Sequence, residues 1–364
     1  MRNFIVSLFL ALILVNITCV ETTAATQTPT PTPAPKPVAS AGSAADFYKD
    51  NTVTLLCAMS PGGSMDIAAR LYASFWSQVT GGNMIVKNMT GGGGLVGLNY
   101  AYAAKPTGLT IATANFGSVW VAPVVFGDPA VKHDLGKWSY VGGMLCPPWV
   151  LCIGKANDYK SFDDLKKAKG LKFAAVGPTN VDAIASALVS EFFGLTGTRI
   201  ISGYPGAADT ALAVGRGECD AFITPASAYH IYLEKGFIKP PPVMVISSTK
   251  SPYFPDVPAL PDLVRLTPDQ QVLFDIVQAV GYADVLHAGP PGIPEDRLNY
   301  MREKFAEITA LPAFQSITRN FWPVWVAPKK ADDLKSIVER ALAVPKKDVA
   351  RLNEIVKKYV AVLR

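Results

Sequence analysis

Residues 90–97 read TGGGGLVG. Four glycines in a row join one apolar stretch to the next, and what they join decides the fold. Upstream, IVKNM (85–89) reads as a strand. Downstream, LVGLNYAYAAK (95–105) reads as a helix and LTIATANF (109–116) as the next strand. One step further out, TVTLLCAM (52–59) is a strand that ends at the turn SPGGS. The stretch SMDIAARLYASFWSQVTGG follows, with Ile67, Leu71 and Phe75 at helical spacing and Gly81-Gly82 to stop it. The order β-α-β-α-β predicts a mainly parallel sheet with helices on its faces.

A second block repeats the plan. After the apolar extended run SYVGGMLCPPWVLCIG (139–154) come SFDDLKKAK as helix, LKFAAVG as strand, VDAIASALVSEFFG as helix and RIISGY as strand. GAADTALAVGRG then reads as helix and CDAFITP as strand. PPVMVISS (241–248) reads as a further strand, and SPYFPDVPALPDL as a proline-rich surface loop. VGYADVLHAGPPGIP (280–294) looks like a second extended crossover, and three amphipathic helices starting near Glu295, Lys330 and Lys347 finish the chain. Two α/β blocks joined by two extended crossovers describe two lobes with a cleft between them. The expected division is 51–147 with 284–364 in lobe 1 and 148–283 in lobe 2.

The N-terminal segment has a different character. Met1-Arg2-Asn3, an apolar run from Phe4 to Val15 and the small residues that follow make a secretory signal over 1–25, too short to span a bilayer untilted. Cleavage fits near Thr23-Ala24-Ala25. Lipid attachment at Cys19 is the alternative, weakened by polar Asn16 where an apolar residue is expected. Residues 26–50 form a linker whose core, TQTPTPTPAPKPVASAGSAA, is too poor in large apolar groups to fold. Its twenty residues reach ~60 Å if fully polyproline-like. Either way the chain is expected in the periplasm or another extracytoplasmic space, free or anchored.

The net charge of +5 is spread along the chain rather than gathered on one face, which speaks against nucleic acid as a partner. Cys57, Cys146, Cys152 and Cys219 remain after export. In one extended strand Cys146 and Cys152 would lie ~20 Å apart, against a bridging limit of ~7 Å. Only a tight hairpin at Pro147-Pro148 would join them, and buried free thiols are the plainer reading.

Candidate chemistry is sparse. Gly92, Gly94 and Gly97 satisfy G-x-G-x-x-G in the right context. The acid that should end the next strand and hold a ribose is absent from TIATANFGSVW, and the next one is Asp128. No Gly-Lys-Ser/Thr makes a P-loop. His133, His230 and His287 lie in unrelated settings without metal-ligand spacing, and no G-x-S-x-G elbow or acid pair stands out. No cofactor, metal or catalytic centre is expected. What recurs instead is a strand, a small-residue turn and a helix with small polar groups in its first turn, at SPGGSMD (60–66) and GPTNVD (177–182). Ser64 and Thr179 or Asn180 suit the N-cap, and a helix N-terminus favours an anion. Without further evidence both turns are read as capped helices and nothing more; a pair facing a common cleft would clamp a carboxylate.

At this point the residues resemble a known family. SPGGSMDIAARL, then NMTGGGGLVGLNYAYAAKPTGLTIATANFG, then SGYPGAADTALAVGRGECDAFITPASAYHIYLEKG, PYFPDVPAL and HAGPPGIPEDRLNYMREKFAEI are similar, in order and spacing, to the solute-binding proteins of tripartite tricarboxylate transporters. The resemblance implies a type II periplasmic-binding-protein fold that closes on a carboxylate and serves membrane permease subunits as a monomer. It implies ligand contacts from Ser60, Gly62, Gly63, Ser64 and Met65, from Asn115, Phe116, Gly117 and Ser118, and from Thr179, Asn180, Tyr204, Thr224 and Pro225. Asp66 is expected to brace its turn.

Two departures matter. Asp182, in a turn where relatives usually show Ser or Thr and often His, would repel a carboxylate if it pointed into the cleft. Phe116 and Trp120 would favour a bulkier or aromatic acid, although Trp120 and Trp149 are equally well read as core or hinge packing. The same fold could instead serve a membrane signalling receptor; a neighbouring sensor kinase gene would favour that reading. The glycine run is expected to be structural, so that Gly93→Ala lowers stability more than ligand affinity.

Overall fold

The computed structural model describes residues 42–145, 148–281, 283–321 and 328–362. The expected signal, Cys19, most of the linker and Cys146 lie outside them. In chain order the strands are β1 (Val53–Cys57), β2 (Met84–Asn88), β3 (Thr110–Asn115), β4 (Ser139–Leu145), β5 (Trp149–Ile153) and β6 (Lys172–Ala175). They continue as β7 (Arg199–Ser202), β8 (Ala221–Pro225), β9 (Met244–Ile246), β10 (Ala283–Gly289), β11 (Pro328–Lys330) and β12 (Val360–Val362). They build two six-stranded sheets, ordered β11-β4-β10-β3-β1-β2 and β12-β7-β6-β8-β5-β9. Helices cover both, and the central strands β5 and β8 are buried along their whole length, as strands with two covered faces must be.

Both sheets are mixed, the second with most of its pairings parallel. β1 runs parallel to β2 and β3, but β10 is antiparallel to both β3 and β4. In the second sheet β6 is parallel to β7 and β8, while β5 is antiparallel to β8 and β9. The antiparallel strands are those next to the crossovers, where the chain enters a lobe against the grain of its β-α-β repeats. Of the run 139–154, β4 goes to the first sheet and β5 to the second.

Three boundaries differ from expectation. The linker ends early: Ala44–Asp50 is a helix, closed by a capping box between Ser43 and Asp46. It docks through Tyr48, which is fully buried, stacks on Tyr300 at 5.5 Å and meets Trp76 edge-on. The C-terminal segment does not stay with the first sheet. β12 pairs in parallel with β7, and the preceding helix Lys346–Tyr359 ties to Glu191 through Lys358 and Tyr359, each at 2.7 Å. The chain therefore crosses between the sheets a third time. Finally, the helix Pro268–Gly281 occupies a stretch whose end looked extended, and a fourth C-terminal helix, Pro312–Phe321, appears among the three expected.

Candidate ligand cleft and the seam between the lobes

The SPGGS turn leads from β1 into the helix Ser64–Thr80. Gly62 takes φ +74°, a conformation costly for any residue with a Cβ. Gly63, not Ser64, is the N-cap, and no side chain caps the helix. Asp66 braces the turn as expected: its carboxylate accepts the Gly62 N–H at 2.9 Å, Arg70 at 2.9–3.0 Å and the Asn88 amide at 2.9 Å. Burial alone would raise its pKa, but these bonds outweigh it and hold the group below the ordinary carboxylate range. Ser60 is buried and its hydroxyl has no hydrogen-bond partner among the described residues. Met65 packs into the core.

The glycine run turns with four positive φ values in succession, +117°, +56°, +67° and +97°, which only glycine adopts cheaply. A Cβ on Gly97 would stand 2.6 Å from the Met89 carbonyl oxygen, so the helix Leu95–Tyr102 packs hard against the strand before it. That much is the structural role expected of the segment. Its other neighbour was not expected. A Cβ on Gly93 would run into Asn180 Oδ1, from the other lobe.

At the end of β3, Asn115 stands where a dinucleotide fold would place an acid, and its Oδ1 accepts the Ser118 N–H at 2.7 Å. Gly117 lies so close to Val280 that a Cβ would overlap the Val280 carbonyl oxygen. Phe116 and Trp120 do not face the cleft. Phe116 is fully buried edge-on to Tyr140, and Trp120 packs on Trp138 at 4.3 Å. Only the main chain of Phe116 is left for a ligand.

The second-lobe turn precedes the helix Val181–Phe192. Asp182 turns away from the cleft, its Oδ2 accepting the Val176 N–H at 2.8 Å and its Oδ1 the Ala183 N–H at 2.9 Å. Burial outweighs these bonds and raises its pKa to about 7. Asn180 sits at the N-cap without capping. Its amide crosses instead to the carbonyls of Gly93 at 3.1 Å and Ser118 at 3.0 Å, while the Ser118 hydroxyl accepts the Val181 N–H at 3.0 Å. Thr179 donates to Asp128 at 2.8 Å. Further along, Gly206 meets Ser60 so closely that a Cβ would overlap its hydroxyl, and Lys235 donates to the Gly62 carbonyl at 3.0 Å.

The seam thus brings together Ser60, Gly62, Gly63, Gly117 and Ser118 from one lobe and Thr179 and Asn180 from the other. Tyr204 is turned to Cys219, 3.7 Å from its sulfur. Thr224, next to last in β8, has a buried hydroxyl with no partner among the described residues, and Pro225 sits opposite Trp149, whose indole N–H donates to the Gly281 carbonyl at 2.8 Å. Gly93, Asp128, Gly177, Gly206 and Lys235 were missed. No sequence signal marks a residue whose role is to touch the other lobe.

The family model for the tripartite tricarboxylate transporter family receptor matches residues 68–321. The chain belongs to this receptor family. The match opens inside the first-lobe helix, so the glycine run and both later turns fall within it. A UPF0065 protein of Bordetella bronchiseptica is 23% identical over 281 residues, 75% of this chain and 77% of its own. Two solved structures from Rhodopseudomonas palustris share the fold. MatC, with bound malate, has a TM-score of 0.65 at 19% identity, covering 84% of this chain and 98% of its own. A second protein, with adipate, has a TM-score of 0.66 at 18% identity over 86% and 98%. The receptor thus has the two-lobed architecture of periplasmic binding proteins.

Proposed function

We propose that this receptor is an extracytoplasmic solute-binding protein that captures a small aliphatic di- or tricarboxylate between its lobes. It then presents the ligand to the permease subunits of a tripartite transporter. The observation that carries the reading is a pair of buried hydroxyls, Ser60 in the first lobe and Thr224 in the second, that find no hydrogen-bond partner among the described residues. Such groups cost ~1–3 kcal/mol each unless something bonds them. Beside Ser60 begins a helix with no side-chain cap, whose N–H groups and dipole favour a carboxylate.

The malate and adipate of the two structural neighbours support this ligand class. Phe116 and Trp120 lie in the core and offer no ring to an aromatic acid. The secretory signal and the Thr/Pro-rich linker support export, with or without a lipid at Cys19.

Thermal-shift screening of protein refolded from denaturant tests this. A matching acid at a hundredfold its Kd adds ~2.7 kcal/mol of stability, a clear rise in Tm. Succinate-, malate-, adipate- or citrate-like acids should act where their diamides do not. A response confined to aromatic acids, or equal for acid and diamide, would overturn the reading.

A further inference from the structure

The second-lobe helix Val181–Phe192 is not an open anion site, because the first lobe already caps it. Its first N–H, on Val181, is taken by the Ser118 hydroxyl, and Asn180 spends its amide on the carbonyls of Gly93 and Ser118. Asn180 is 1% exposed, so these bonds form in a buried seam. The fit around it is tight and made of glycine. A Cβ on either Gly93 or Gly177 would overlap Asn180 Oδ1, and the two glycines face each other across the seam. Thr179 to Asp128 and Lys235 to Gly62 extend the same line of bonds. All of them run from one lobe directly to the other, with protein groups at both ends.

We infer that Asn180 is a positioning residue, the centre of a latch with Ser118 and Gly93 that closes the lobes on each other without a ligand. The inference rests on the reading of the molecule as a two-lobed binding protein. A latch of this kind sets the fraction of empty receptor already in the closed form, and that fraction scales the apparent affinity for any ligand that needs closure. Asn180 then acts on binding through the lobe equilibrium rather than by touching the ligand.

The test uses no ligand. The purified protein is unfolded, dialysed, refolded and studied by small-angle X-ray scattering and hydrogen exchange. The wild type should scatter as the closed form, with the Val181 amide protected. In Asn180→Ala the radius of gyration should rise and Val181 should exchange about tenfold faster or more, while amides within β6 and β8 keep their protection. Thr179→Val, which leaves the glycine seam intact, should move both readouts the same way by less, and serves alone if Asn180→Ala does not fold. An empty wild type that is already expanded with Val181 unprotected overturns the latch. So does a folded Asn180→Ala indistinguishable from wild type, or, where only Thr179→Val folds, that variant indistinguishable from wild type. Failure of the carboxylate screen would instead sink the proposed function and leave these measurements standing.

Discussion

At the residue scale, two buried titratable groups pull the stability of the receptor in opposite directions with pH. Asp182 has its pKa raised to about 7 by burial, so the folded state holds its proton more tightly than the unfolded chain does. Its contribution is full below about pH 4 and declines as pH rises through 7, by up to ~1.4 kcal/mol per unit. His287 is fully buried against Tyr72, 4.6 Å away, with neither ring nitrogen bonded among the described residues, and burial lowers its pKa to about 3. Its contribution is complete above about pH 6.5 and declines as pH falls toward 3. Urea denaturation should therefore show Asp182→Asn gaining on wild type as pH rises from 4 to 8, and His287→Phe gaining as pH falls from 7 to 4. A difference independent of pH in either variant would mean that the group keeps its ordinary pKa.

Gly93 belongs to the same scale. Gly93→Ala, expected from its φ of +67° to cost stability, would also set the new methyl against Asn180 in the other lobe. The variant should bind its acid at least tenfold more weakly with a modest drop in Tm. Calorimetric titration showing unchanged affinity with a large drop in Tm would restore the local reading. The sequence already marked the run as a positive-φ turn. It carried nothing about the seam, because residues 93 and 180 are brought together only by the packing of two lobes.

Among the elements, the turns entering the two helices share one design. Asp66 reaches back to the Gly62 N–H and Asp182 to the Val176 N–H, each acid bracing its own turn from inside the helix's first turn. Removing Asp66 leaves the Gly62 N–H and the Asn88 amide without this acceptor. Asp66→Ala should cost ~2–4 kcal/mol in urea unfolding, and Asp66→Asn distinctly less. Equal losses would show that packing, not bonding, is what Asp66 supplies.

The role of Asp66 was legible, since an acid near a helix start above a glycine turn has few other uses. The direction of Asp182 was not, because the same residue type at the same place could have faced the cleft. The helix Pro268–Gly281 carries its buried set in Leu273, Phe274, Ile276, Val277 and Val280. Its glycine end merged with the extended pattern of β10, and the boundary was lost there.

At the scale of the whole molecule, the β-α-β repeats, the two lobes and the first crossover were visible as periodicity and punctuation. The third crossing was not. β12 has only three residues, and the stripe of Leu352, Val356 and Tyr359 on the helix before it would bury equally well against either lobe. That last crossing ties the second sheet to the end of the chain. Truncation before Lys346 should therefore lower the Tm and speed exchange in β7 and in the helix Val181–Phe192, leaving β1 and β3 protected. Uniform loss of protection would argue against a local tie.

The central claim is that the seam opens to take a carboxylate and closes around it. The most direct test is isothermal titration of the refolded receptor with C4–C6 dicarboxylates and citrate, each paired with its amide. At least one acid should bind saturably and one-to-one, with binding lost in its amide and weakened by Asn180→Ala. Folded protein that binds none of these acids, or binds acid and amide alike, would contradict that claim.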